Sequence, residues 1–448
     1  VTATARAARF GTGKSRGVDA TVWRVVGSPL VGATSAGPLA GHTVAVKDLF
    51  AVAGHPIGAG VEDFVAERAP EPRHATVVAA LLAAGAAITG IARTDEFAYS
   101  ITGGNGRTGM PVNPAAPERV PGGSSSGPAV AVARGEASIG LGTDTAGSIR
   151  VPASYQGLWG IRTTHQSLDT TGLLPLAPSF DTIGWLARDA VTLLAVADAL
   201  CANSVVLQQD LATDSAQPDV RESAQRPSAA KSCWTSPSGS ASRSGARSAA
   251  ESSMEGTELV VDPVLSAAAD PEIAEQCLRA AAELGARPIA LRGELDRWFA
   301  AFRTVQAYEA WAGHGAWLRA HPGALEPEVG DRFAWAATVT ADGAAAARKV
   351  VAEAAARIRG IVGHRVLVLP TTAGPPPLRE ADQRTRDAVR SATLRLTCLA
   401  SIAGLPAVTL PLPNRHGLPA GLCLVGAANT DRALIHLASR CAARLANL

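Results

Sequence analysis

The chain lacks an excess of charge of either sign: 41 Lys and Arg stand against 39 Asp and Glu, a formal net charge of +2 over 448 residues. Such a balance gives no broad field to draw in nucleic acid or anionic lipid, so neither is expected as a partner. Paired cysteines are lacking too. Cys201, Cys233, Cys277, Cys398, Cys423 and Cys441 lie far apart with no CxxC, which excludes a small disulfide-stapled framework and points to reduced thiols in a cytoplasmic protein. No apolar run reaches the ~20 residues that a bilayer span requires. The longest, Val77 to Ala92, contains Thr89 and reads as a buried helix running into a strand. Arg6, Arg9, Lys14 and Arg16 have no apolar stretch behind them, so residues 1–20 are expected to be a flexible basic arm and not a secretory signal. The nine histidines show no metal-ligand spacing, and no metal or organic cofactor is expected. There is no internal repeat. With 47% hydrophobic residues the chain has ample material for a large core and, by exclusion, a small molecule as its partner.

Helices and strands alternate along the chain. Val77-Val78 and Leu81-Leu82 recur at helical spacing, Gly85 ends that helix, and Ala87 to Ala92 reads as a strand. Ala129 to Ala133 reads as a helix and Ser138 to Leu141 as a buried strand. Leu259-Val260-Val261, Val366 to Leu369 and Ala407 to Leu410 read as strands, Ile273 to Leu284 as an amphipathic helix, and Asp431 to Leu445 as a closing helix. Between Asn203 and Gly256 the composition shifts to Ser, Ala, Arg and Gln, as in a linker or disordered insert. The expected organisation is therefore a basic arm at 1–20, one half of the main domain at 21–202, a low-complexity insert at 203–256, and the other half at 257–448.

Two glycine-rich loops carry the chemistry. Pro121-Gly122-Gly123-Ser124-Ser125-Ser126-Gly127 is followed, after a helix and a strand, by Gly142-Thr143-Asp144-Thr145-Ala146-Gly147-Ser148-Ile149-Arg150-Val151-Pro152. Upstream stands Lys47 in Val44-Ala45-Val46-Lys47-Asp48-Leu49-Phe50. Serine attacks poorly unless a base lies within hydrogen-bond reach, and a lysine desolvated by apolar neighbours can be that base in its neutral form. Acyl transfer is the reaction class implied. Asp144 and Arg150 read as a structural ion pair, and Asp48 and Asp181 also read as structural. Gly123-Ser124-Ser125-Ser126-Gly127 formally matches a GxSxG nucleophile elbow, but no strand precedes it. Gly11-Thr12-Gly13-Lys14-Ser15 fails the phosphate-loop pattern because its first glycine position is Ala8.

Taken in this order, the three motifs resemble the amidase signature family. Asp95-Glu96-Phe97-Ala98, Gly103-Gly104-Asn105, Asn113-Pro114, Ser179 to Gly184, Ala403 to Ala407 and Leu418 to Leu422 fit its pattern as well, so the likeness covers most of 41–200 and 366–445. The resemblance implies an α/β fold: a single large α/β/α domain whose central mixed, mostly parallel twisted sheet is flanked by helices. It also implies Ser148 as nucleophile, Ser124 as a bridging serine after a cis peptide at Gly123, and Lys47 as base. The backbone N–H groups of Thr145, Ala146, Gly147 and Ser148 would form the oxyanion hole. Ala146 departs from the family, which often has glycine there; its methyl group is expected to narrow the loop without abolishing it.

The activity expected is hydrolysis of a small-molecule, non-peptide carboxamide through an acyl-enzyme, with a homodimer compatible with the sequence. Gln306-Ala307-Tyr308-Glu309-Ala310-Trp311 and His314 to Trp317 look most like the indole-3-acetamide hydrolase branch. Trp298, Phe299, Phe302, Tyr308, Trp311 and Trp317 lie at near-helical spacing, which suits core packing as well as an aryl pocket. Two rivals remain open: an amidotransferase subunit that hydrolyses glutamine, and a catalytically silent scaffold of the same fold.

Overall fold

Eleven strands form one sheet in the computed structural model, which describes residues 17–200, 256–291, 294–412 and 417–446. The expected arm at 1–20, the phosphate-loop lookalike and the insert at 203–256 lie largely or wholly outside the described residues, as do Cys201 and Cys233. The strands are β1 (Trp23–Val31), β2 (Thr43–Lys47), β3 (Ala87–Ala92), β4 (Ile139–Thr143), β5 (Trp159–Arg162), β6 (Ile183–Ala187), β7 (Leu259–Val261), β8 (Arg287–Pro288), β9 (Val366–Pro370), β10 (Ala407–Pro411) and β11 (Gly421–Val425). Their spatial order is β1-β3-β2-β4-β6-β5-β10-β11-β9-β7-β8.

The sheet is mixed, as expected, but its balance of directions requires a correction. Parallel pairing is confined to β2–β3, β2–β4, β7–β8 and β7–β9. The pairs β1–β3, β4–β6, β5–β6, β5–β10, β10–β11 and β9–β11 are antiparallel. Connectivity is the reason. Parallel neighbours need a crossover, which the Thr76–Ala83, Ser126–Ala133 and Pro271–Glu283 helices provide, whereas β5 is joined to β6 without one.

Burial follows from this layering. β2, β4, β5, β6, β9, β10 and β11 are buried almost throughout, so they read as short continuous apolar runs without alternation. Helices Thr76–Ala83, Pro271–Glu283, Gln383–Ala403 and Asp431–Leu445 contribute buried apolar faces to the core. In the Leu295–Ala320 helix Trp298, Phe299 and Phe302 are buried, and Phe302 meets Phe180 at a centroid distance of 4.6 Å. Among the described residues no helix is long and apolar enough to cross a membrane, and Cys277, Cys398, Cys423 and Cys441 are buried free thiols.

The consequence for the site is one of register. Val46 of β2 lies opposite Leu141 of β4, and both strands run in the same direction. Their carboxyl ends, Lys47 and Thr143, therefore emerge side by side, at the edge where open α/β sheets carry their chemistry.

Candidate active site

Lys47 is fully buried at the end of β2, behind Val44, Ala45 and Val46, which are buried too. Its Nζ lies 2.8 Å from Ser124 Oγ and 2.9 Å from Thr143 Oγ1. Burial pushes the ammonium down to about 7, while the charges of Asp95, Asp181 and Asp144 oppose the shift. Near neutral pH both protonation states are thus populated, as a proton relay requires.

Ser124 is held from behind. Thr94 Oγ1 donates to its carbonyl at 2.8 Å, and the backbone N–H of Asp95 does so at 3.3 Å. The Gly123–Ser124 peptide is cis, as the family resemblance implies. Gly123 is required on steric grounds: a Cβ there would stand 2.5 Å from Asp95 Oδ2. Gly122 adopts φ +76°, a conformation that glycine enters without a Cβ penalty, and packs on Pro152 and Tyr155. The carboxylate of Asp95 accepts from the Gly103 N–H at 2.9 Å and from Ser126 Oγ at 3.3 Å, and burial raises its pKa.

The second loop is built around Asp144. This fully buried carboxylate pairs with Arg150 at 2.8 Å and with Arg162 at 3.3 Å, and it accepts from the N–H groups of Gly147, Ile149 and Arg150. Burial alone would raise the Asp144 carboxyl, but Arg150 and Arg162 outweigh it and hold the group well below the usual carboxylate range. The expected Asp144–Arg150 ion pair is present, with Arg162 as a further partner. Thr145 Oγ1 donates to Asp181 Oδ1 at 2.6 Å, and Thr397 Oγ1 donates to the Ala146 carbonyl at 2.5 Å. Asp48 likewise has a structural setting, paired with Arg24 at 2.7 Å and accepting from the Gly58 N–H.

Ser148 is only 3% exposed, and that remnant opens into a small cavity that it shares with Thr145, Ala146, Tyr99, Gln306 and Arg390. The Ser125 N–H donates to the Ser148 carbonyl at 3.2 Å, which joins the two serine loops. Lys47, Ser124 and Ser148 are therefore brought into one neighbourhood. The Lys47–Ser124 leg is hydrogen-bonded; no hydrogen bond closes Ser124 to the Ser148 hydroxyl among the described residues.

One oxyanion donor is corrected. The Gly147 N–H is committed to Asp144 Oδ1 at 2.8 Å, because the carboxylate that fixes the loop reaches back to it. Thr145, Ala146 and Ser148 keep N–H groups without an intramolecular acceptor among the described residues. Sequence reasoning also missed Thr143 and Arg162. Thr143 sits directly before Asp144 in the motif, but its contact with Lys47 depends on the β2–β4 register. Arg162 ends a four-residue strand and carries no local pattern.

The chain is similar to known proteins along most of its length. Residues 30–435 match the Amidase family. The chain is 33% identical over 435 residues to Amidase 1 of Arabidopsis thaliana, covering 95% of this chain and 98% of that protein. A glutamyl-tRNA(Gln) amidotransferase component from Symbiobacterium thermophilum is 46% identical, but over only 162 residues, 35% of this chain and 32% of that one. A solved amidase structure superposes with a TM-score of 0.71 at 28% identity, covering 91% of this chain and 86% of that chain. Sheet, serine loops and full-length similarity agree, and the chain belongs to the amidase family.

Proposed function

We propose that this protein hydrolyses a small, non-peptide carboxamide through an acyl-enzyme on Ser148. The observation that carries the reading is the fully buried amine of Lys47 at 2.8 Å from Ser124 Oγ, on a loop that the Ser125 N–H joins to the carbonyl of Ser148, which itself lines a small cavity. Ser148 Oγ attacks the amide carbon and its proton passes to Ser124, whose own proton passes to neutral Lys47. The N–H groups of Thr145, Ala146 and Ser148 meet the oxyanion, and each such donor contributes roughly 2.7–4 kcal/mol in related settings. Collapse of the tetrahedral intermediate breaks the C–N bond, and the leaving amine takes its proton back from the relay. Water then adds to the ester along the same path and releases the carboxylic acid. The Ser148–Ser124 hydrogen bond is formed with substrate bound, since catalytic hydrogen bonds often tighten only in the Michaelis complex.

The aryl-pocket version of this reading has weaker support. Of the Leu295–Ala320 helix only Gln306 lines the Ser148 cavity, while Trp317 packs edge-on against Phe64 and Phe97. The amidotransferase reading rests on a similarity that covers about a third of the chain, whereas the similarity to an amidase spans nearly all of it. Ammonia release from a panel of aliphatic, aryl and ureido amides and glutamine, with mass spectrometry of the trapped acyl-enzyme, tests the proposal. A Ser148 adduct supports it. Turnover of glutamine alone, dependent on added partner proteins, would favour the amidotransferase, and absence of any adduct would favour the silent scaffold.

A further inference from the structure

Arg390 lines the same cavity as Ser148, and it also lines the neighbouring cavity bounded by Ile101, Tyr155 and Arg386. It stands on the Gln383–Ala403 helix, half-buried, and its Nε has no hydrogen-bond partner. No carboxylate pairs with it among the described residues. The surrounding charges sharpen the point. Arg332 is engaged by Glu328 at 3.4 Å and Asp387 at 3.9 Å, and Arg386 shares the same Glu328. Arg303 rests on the ring of Trp335 at 4.9 Å and has no ion-pair partner among the described residues. Two carboxylates thus serve Arg332 and Arg386, and the positive charges of Arg303 and Arg390 are left over.

We propose that Arg390 is the anion-binding residue of the acyl subsite, and that the substrate is a short amide whose acyl chain ends in a carboxylate. The inference rests on Ser148 as nucleophile. A guanidinium presents a rigid fork of donors that matches a carboxylate in a bidentate manner. An apolar acyl group in this cavity would instead cover an unpaired donor and a charge, which is unfavourable. Burial and the charges of Arg332 and Arg303 push the Arg390 guanidinium down to about 9, against opposing contributions from Tyr99 and Asp387, so it stays cationic at neutral pH. Ser148 and Arg390 border one small cavity, so the two ends of the substrate lie only a few bonds apart.

The test uses succinamate and its neutral isostere succinamide, with Ser148→Ala so that binding is read without turnover. Calorimetry is expected to show succinamate binding at least ~10-fold tighter than succinamide, the gain typical of a charged hydrogen bond. Arg390→Gln in the same background should bring that ratio near one, and Arg390→Lys should restore part of it. Equal binding of the two ligands, no binding of either, or a preference that survives Arg390→Gln would overturn the proposal. The ratio with Arg390 intact tests it even if the Gln variant folds poorly. Tight succinamate binding together with failure of the wild type to release ammonia from any amide would sustain the subsite and sink the amidase reading.

Discussion

Lys47 Nζ lies 2.8 Å from Ser124 Oγ, and both side chains are fully buried. A lysine so placed has lost its hydration shell, and the carboxylates that could compensate act from a distance without touching it. Its pKa of about 7, against an ordinary 10.5, is a physical property of the site as much as a catalytic one.

The first expectation concerns pH and rate. The acylation rate should fall as pH drops through about 7, because Lys47 gains the proton it must lack. Lys47→Met should lose most activity, since it keeps the stem but not the base. Lys47→Arg should fail as well, because guanidinium stays protonated. Pre-steady-state ammonia release across pH separates base from fixed charge: an active arginine variant would mean that positive charge alone suffices.

The same shift has a consequence for stability, of opposite sign to that of a salt-bridged lysine. Between about 7 and 10.5 the unfolded chain holds a proton on Lys47 that the folded chain lacks, so stability rises with pH across this window. Below about 7 the burial penalty is present in full. Lys47→Met should therefore raise the melting temperature at pH 6 and lose that advantage towards pH 10. A melting temperature that Lys47→Met lowers at pH 6 would contradict the desolvated amine.

Thr143→Val probes the partner that sequence reasoning missed. It removes the acceptor 2.9 Å from Lys47 Nζ while keeping the β-branched shape in a strand. Losing a hydrogen bond to the charged form disfavours that form, so the acidic limb of the pH–rate profile should move to lower pH. An unmoved limb would show that Thr143 only fills space.

How much of this was legible varies with the range of the interaction. The glycine loops, the serines and the lysine are local patterns, and the Asp431–Leu445 helix shows in its apolar spacing. The edge strand β1 did not, because most of its residues are partly exposed and Pro29 interrupts it. β5 and β6 are four and five residues long and buried throughout, which leaves no alternation to read. Thr143 against Lys47, Arg162 against Asp144 and Arg390 against the Ser148 cavity are products of strand register and helix placement. No window of sequence contains both members of the last pair. The commitment of the Gly147 N–H to Asp144 is closer in sequence, yet it depends on the loop's path and not on residue types.

Asp144→Asn tests whether the second loop depends on charge. The substitution keeps shape and one acceptor oxygen but leaves Arg150 and Arg162 buried without a carboxylate, with the main-chain carbonyls of Thr397, Phe180 and residue 144, the Ser401 hydroxyl and the Cys423 thiol as their remaining partners. Breaking a buried ion pair by removing one partner typically costs about 3–5 kcal/mol, because an uncompensated charge stays behind. The urea midpoint should fall accordingly, and Ser148 should lose its orientation, since the N–H groups of Gly147, Ile149 and Arg150 are all anchored to that carboxylate. Loss of kcat with the melting temperature preserved would instead confine the carboxylate's part to positioning the Ser148 loop. Near-normal stability and turnover would mean that the two arginines find other partners and that the loop holds itself.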